Sequence, residues 1–151
     1  MKEKWLKALI VLGFTTNVFA AQEFKVELGL GVDYGGIGTQ LHFPIEIENT
    51  EIYLATGLFY ASTNGNQEFG IGAGVNYYLS PNGAFTFYYG TLNVDKYLTD
   101  NLQVKAEADY GASIGYKYYF NKPSKSGFSL GVNYNIYGGA SYPFVSLGYR
   151  F

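Results

Sequence analysis

Between Phe69 and Leu79 the chain alternates without a fault. Phe69, Ile71, Ala73, Val75, Tyr77 and Leu79 are interleaved with Gly70, Gly72, Gly74, Asn76 and Tyr78. An extended backbone turns successive side chains to opposite faces, so this stretch predicts a strand with one apolar and one small or polar face. The same period recurs in seven further segments. Phe24 to Tyr34 sets Phe24, Val26, Leu28, Leu30, Val32 and Tyr34 against Lys25, Glu27, Gly29, Gly31 and Asp33, and Ile37 to Ile47 sets Leu41, Phe43 and Ile45 against Gln40, His42 and Glu46. Ile52 to Tyr60 follows the turn Glu48-Asn49-Thr50. A segment carrying Phe85, Phe87 and Tyr89 follows Pro81-Asn82-Gly83, where Asn-Gly is a tight-hairpin signal. Tyr110 to Phe120, Phe128 to Asn135 and Ser141 to Phe151 complete eight.

Period two is shared by soluble barrels with the apolar face inward and by membrane barrels with it outward. The composition of the polar face decides between them. A solvated exterior is normally rich in Lys and Glu; here that face is mostly Gly, Ser, Asn and Tyr, with few charges. Such a face fits a narrow lumen, in which glycines leave room for Tyr53, Phe59, Tyr78, Tyr88 and Tyr119 to cross. Each segment has about the 9–11 residues that a tilted strand needs to cross a bilayer. Aromatics on the apolar face fall near the predicted strand ends, at Phe24, Tyr34, Tyr60, Phe69, Tyr77, Phe85, Phe120, Phe128 and Phe151, as in the interfacial girdles of membrane barrels. The expected fold is all-β, an eight-stranded antiparallel up-and-down transmembrane barrel.

Residues 1–20 read as a cleaved signal peptide. Lys2, Lys4 and Lys7 precede a short apolar run from Ala8 to Phe14, and Val18-Phe19-Ala20 offers small residues for cleavage before Ala21. The run is far short of the ~20 apolar residues of a spanning helix. The barrel domain is then 21–151. The chain has no Cys, which removes disulfides, a thiol nucleophile and thiolate metal sites. Without Lys2, Lys4, Lys7 and Glu3, its 10 basic and 12 acidic residues fall to 7 and 11, a net charge of −4. Nothing in this balance attracts nucleic acid.

In the eighth segment Val145, Leu147, Tyr149 and Phe151 share one face, and the strand closes flush on the last aromatic where a terminal strand usually frays into polar residues. The pattern resembles the C-terminal strand that bacterial outer-membrane barrels present to their assembly machinery. The resemblance implies residence in the outer membrane of a Gram-negative bacterium, with outer-membrane lipid and that machinery as partners. The whole 21–151 stretch is similar to the small eight-stranded barrels of the OmpA transmembrane-domain and OmpX architecture. A second likeness, to YfaZ-type outer-membrane proteins, rests on Phe87-Tyr88-Tyr89-Gly90-Thr91-Leu92 and on Tyr110-Gly111-Ala112 to Tyr116. It brings no activity with it.

With both termini periplasmic, the outer connections are Gly35-Gly36, Ser62 to Gln67, a polar hairpin from Asn93 to Asp109 turning near Thr99-Asp100-Asn101, and Gly138 to Ala140. The hairpin is the predicted surface for any external partner. If the Gly35-Gly36 turn sets the register, Lys25 lies opposite Glu46 and Gly29 opposite His42, and closure brings Arg150 to the level of Glu27. Lys25, Glu27, His42, Glu46 and Arg150 are thus expected as a lumenal charge network, with Lys25–Glu46 and Arg150–Glu27 pairs blocking the periplasmic end, since an unpaired buried charge costs several kcal/mol.

Chemistry finds little support. His42 is the only histidine, and His42-Phe43-Pro44 offers no Ser at the spacing of outer-membrane lipid hydrolases. Gly29-x-Gly31 and Gly70-x-Gly72-x-Gly74 alternate along strands and do not lead into a helix, unlike phosphate loops. No cofactor is implied, and one His with no Cys makes a transition-metal site improbable. The expected role is non-catalytic, in envelope integrity or surface contact. A lipid-modifying enzyme and a porin-like channel are the alternatives.

Overall fold

The computed structural model describes residues 24–60, 67–98 and 104–151; the predicted signal peptide, the tip of the third outer hairpin and most of the second outer loop lie outside them. Eight strands run in chain order: β1 Lys25–Gly31, β2 Gly36–Pro44, β3 Thr50–Tyr60, β4 Gln67–Ser80, β5 Gly83–Leu98, β6 Val104–Tyr119, β7 Gly127–Tyr137 and β8 Ala140–Arg150. Each pairs antiparallel with its neighbours in sequence, and β8 returns to β1 to close an up-and-down barrel. Closure runs from Glu27 opposite Arg150 to Leu30 opposite Leu147, and the Phe151 amide donates to the Val26 carbonyl at 2.9 Å.

The two faces separate as the alternation dictates. Leu54, Phe69, Ile71, Phe87, Ile114, Val132 and Val145 are each at least half exposed on the outside, while Glu27, His42, Asn76, Lys117, Asn135 and Arg150 are at most 1% exposed inside. Tyr53, Tyr88 and Tyr119 are buried across the interior, and Phe59 packs against the same interior cluster. The β7–β8 connection is two glycines, both with positive φ (45° and 88°), between the register partners Tyr137 and Ala140. That is the backbone a two-residue hairpin needs to match the strand twist.

The first hairpin departs from expectation. β1 ends at Gly31, and Val32–Tyr34 form a 3-10 turn closed by Gly35 in the left-handed region (φ 70°). The turn folds into the barrel. Val32 and Tyr34, whose phase continues the outward face of β1, are 3% and 0% exposed, so Tyr34 belongs to no outer aromatic girdle. Room for this comes from the glycine face: a Cβ on Gly35 would lie 2.8 Å from the Gly70 carbonyl oxygen and 2.9 Å from the Gly57 nitrogen. The turn removes Val32 to Gly35 from the ladder and shifts the register by four residues. Lys25 faces His42 and Gly29 faces Gly38. Glu46 lies beyond the end of β2 at Pro44 and is exposed, so Lys25 and Glu46 are not cross-strand partners.

β5 and β6 are 16 residues each, about 50 Å of extended chain. They stay paired from Gly83–Tyr118 to Leu98–Val104, with a register shift between Thr91 and Asn93. β4 accompanies β5 only as far as Gly90, and β7 accompanies β6 only as far as Gly111. Beyond that level the two strands continue as a ribbon, as the polar Asn93–Asp109 stretch suggested. Asn93 Nδ2 ties its base by donating to Asp95 at 2.7 Å and to Asp109 at 3.2 Å.

Candidate functional site

The interior is layered. Charged groups occupy the end where β1 begins and β8 finishes, and aromatic and aliphatic groups occupy the end of the outer hairpins. Strand parity aims Glu27, His42, Glu51, Lys117 and Arg150 inward, Asp33 comes in on the 3-10 turn, and closure of β8 on β1 brings the most distant of them together. Arg150 is the hub. Its Nε donates to Glu27 Oε2 at 3.2 Å, and Nη1 and Nη2 form a two-pronged contact with Glu51 at 3.3 and 3.1 Å. Nη1 also donates to the Tyr78 hydroxyl (3.2 Å) and Nη2 to that of Tyr119 (3.0 Å), whose ring centroid lies 4.6 Å from the guanidinium carbon. The planar fork of an arginine suits such convergent, charge-assisted bonding better than a lysine would.

His42 completes this layer. Its Nε2 is 3.3 Å from Glu27 Oε2 and its Nδ1 is 3.0 Å from Glu51 Oε2, with Arg150 Nη2 3.0 Å from Nδ1. Tyr78 donates to the same Glu51 oxygen at 2.5 Å. The next layer is centred on Lys117, which is fully buried. Its ammonium lies 3.3 Å from Asp33 Oδ2 and 3.6 Å from Glu27 Oε1, and it donates to Gln40 Oε1 at 3.0 Å and to the Tyr34 hydroxyl at 3.2 Å. Glu27 Oε1 accepts from both the Tyr34 and Ser129 hydroxyls. Glu27 therefore links the two layers. At the rim Lys25 Nζ donates to the Pro123 carbonyl at 2.9 Å, drawing the β6–β7 loop toward this end.

Of the five residues expected as a charge network, Glu27, His42 and Arg150 meet in one cluster, Lys25 sits at its rim and Glu46 stays outside. Glu51, Lys117, Asp33 and Tyr34 are the members that sequence reading missed. Glu51 carried a signal, since it shares the parity of Tyr53 and Ala55. Lys117 and Asp33 were aimed inward by phase, but their pairing crosses the barrel and leaves no trace in strand register.

Three carboxylates, two permanent cations and one imidazole lie within this volume, at most 6% exposed. Burial in poor solvent is tolerable for such a set because nearly every charge has an opposite partner and a hydroxyl or amide donor. His42 is fully buried and its ring nitrogens face Glu27, Glu51 and Arg150. Among the described residues no group of three or more His, Asp and Glu side chains is arranged to hold a metal ion.

Tyr53, whose ring centroid lies 5.3 Å from that of its register partner His42, borders the charged layers; it stacks with Tyr88 at 6.4 Å and shares a 3.1 Å hydrogen bond with Thr86. Val32, Ala55 and Leu92 pack on the two tyrosines, with Phe59, Tyr142 and Phe144 half-buried around the mouth. The four residues expected as an assembly signal lie on β8 and just beyond it: Val145, Leu147 and Phe151 are exposed on the outside, and Tyr149 makes edge-to-face contacts with Phe128 (4.9 Å) and Phe151 (5.0 Å). No family model, curated protein or solved structure matches the chain. Fold and interior together define a closed eight-stranded barrel, apolar outside and ion-paired within.

Proposed function

We propose that the protein is a small integral outer-membrane barrel of the OmpX-like kind, with a closed lumen and no catalytic activity, acting in envelope integrity or in contact at the cell surface. The observation that carries this reading is the inversion of polarity. Large apolar side chains cover the outside of all eight strands while charges fill the inside. In water that exterior would be one continuous apolar patch, far beyond the few hundred Å² that soluble monomers expose. In a bilayer it is matched by hydrocarbon, and the pairing of β8 with β1 closes the ladder around the barrel.

The Arg150 and Lys117 layers support a closed lumen, because their side chains span the interior and are held by several partners each. The burial of His42 among carboxylates supports a non-catalytic role, since a general base must reach a substrate proton. The β5–β6 ribbon is the surface offered to an external partner. The test is fractionation combined with planar-bilayer recording: the protein should sediment with outer membranes after alkaline washing, and the refolded protein should give no single-channel steps. Recovery in a soluble fraction would defeat the membrane reading, and discrete conductance steps would defeat the closed lumen in favour of a porin-like one.

A further inference from the structure

The barrel wall is not equally tall on all sides. β1 pairs with β8 no farther up than Leu30–Leu147, and β2 pairs with β3 no farther than Ile37–Leu58. Yet β8 starts at Ala140 and β3 runs on to Tyr60. Above the first hairpin, residues 140–146 of β8 therefore face the end of β3 across an interval that no described strand fills. The residues that would have extended β1 and β2 across it are those of the turn that folds inward.

A cavity of about 390 Å³ lies at this notch, within the ~300–1,000 Å³ typical of small-molecule sites. Val32, Phe59, Leu92 and Phe144 form its inner wall. Its rim is made by Leu30, Ile37 and Leu58, which are exposed on the outside of the barrel. The outer surface leads into it: a groove between β1 and β2, floored by the register partners Gly29 and Gly38, shares Leu30 and Ile37 with the cavity. The polar side chains on the cavity wall are already engaged. The Tyr142 hydroxyl donates to the Leu92 carbonyl at 2.6 Å, and the Asn93 amide donates to Asp95 and Asp109. A ligand with hydrogen-bonding groups would be desolvated here with few partners, whereas a hydrocarbon chain has none to lose.

We infer that this notch holds one acyl chain of a membrane lipid, which passes sideways from the outer groove, over Leu30 and Ile37, into the pocket lined by Leu92 and Phe144. The inference rests on the membrane reading above. The cavity's continuity with the apolar exterior selects a bilayer lipid as occupant, because that exterior is where such chains would already lie.

The test uses the protein in phosphatidylethanolamine–phosphatidylglycerol vesicles doped with a phospholipid carrying a photoactivatable diazirine at the end of one acyl chain. After irradiation, crosslinked residues are mapped by mass spectrometry. Labels are expected on outward residues such as Val75, Ile114 and Leu147 and, in addition, on Val32, Leu92 and Phe144. Outward labels without cavity labels would overturn the inference and leave the membrane reading standing; labels at neither set would overturn both. In a second measurement, Leu58→Trp at the rim should lower the cavity labels severalfold while leaving the outward labels unchanged. Undiminished cavity labels in that variant would overturn the sideways route.

Discussion

The Tyr34 hydroxyl donates to the carboxylate of Glu27, seven residues earlier in the chain, and both side chains are fully buried. The contact is possible only because the turn after β1 points back down the inside of the barrel. A tyrosine that continues the outward phase of its strand thus becomes a link between the two charged layers, touching Glu27, Ser129 and Lys117.

Removing that link should be measurable. Tyr34→Phe keeps the ring but withdraws a donor from a buried carboxylate, and should destabilise the refolded protein by about 1–3 kcal/mol in a urea titration. Tyr34→Ala also empties the slot that the ring fills and should cost more, about 3–5 kcal/mol. Equal stability of Tyr34→Phe and the unmodified protein would mean that the hydroxyl contributes nothing to the cluster.

Gly148 forms part of that slot. A Cβ there would crowd the Tyr34 hydroxyl and lie 2.5 Å from Glu27 Oε1 and 2.7 Å from Ser129 Oγ. Gly148→Ala should therefore cost about 1–3 kcal/mol through overpacking. The same change made in a Tyr34→Ala background should cost much less, because the two sites share one space. Strict additivity of the two losses would contradict the inward turn.

Glu46, expected in the lumen, is exposed, and Glu51, which the sequence reading did not single out, is buried. Glu51 holds both terminal guanidinium nitrogens of Arg150, so Glu51→Gln should cost about 3–5 kcal/mol by leaving a buried cation poorly paired. Glu46→Gln, in an exposed turn, should leave the unfolding midpoint unchanged. The reverse order of sensitivity would restore the register in which Lys25 opposes Glu46.

Leu147 and Val75 face outward on opposite parts of the barrel wall. Replacing either with Arg should destabilise the vesicle-embedded protein by about 2–4 kcal/mol if the position lies near the bilayer midplane. Tolerance at both sites would show that neither faces hydrocarbon.

Strand number, order and the identity of each face were legible because side-chain period is rigidly tied to extended backbone, as the unbroken alternation of Phe69 to Leu79 illustrates. The Gly138-Gly139 hairpin was legible for the same local reason. The inward turn was not. Val32 and Tyr34 keep the apolar phase of β1, and what redirects them is space left by Gly57 and Gly70 on other strands, a relation that period two does not encode. Glu51 was lost by starting β3 at Ile52, two residues late. The pairing of Lys117 with Asp33 joins groups 84 positions apart through the barrel interior, where neither hydrogen-bond register nor alternation applies.

Arg150 draws its partners from β1, β2, β3, β4 and β6, and it meets Glu27 across 123 positions of chain. No subset of adjacent hairpins can assemble that set. Until β8 docks, Glu27, His42 and Glu51 stand along one side of an open sheet without their guanidinium, and the contacts that reward closure arrive together at the last step. Such a chain should cross a late, high-contact-order barrier and close slowly. Once shut, it can reopen the β1–β8 seam only by giving up the hub's bonds to Glu27, His42, Glu51 and Tyr78 together, so its persistence would be set by a rate of unzipping more than by an equilibrium.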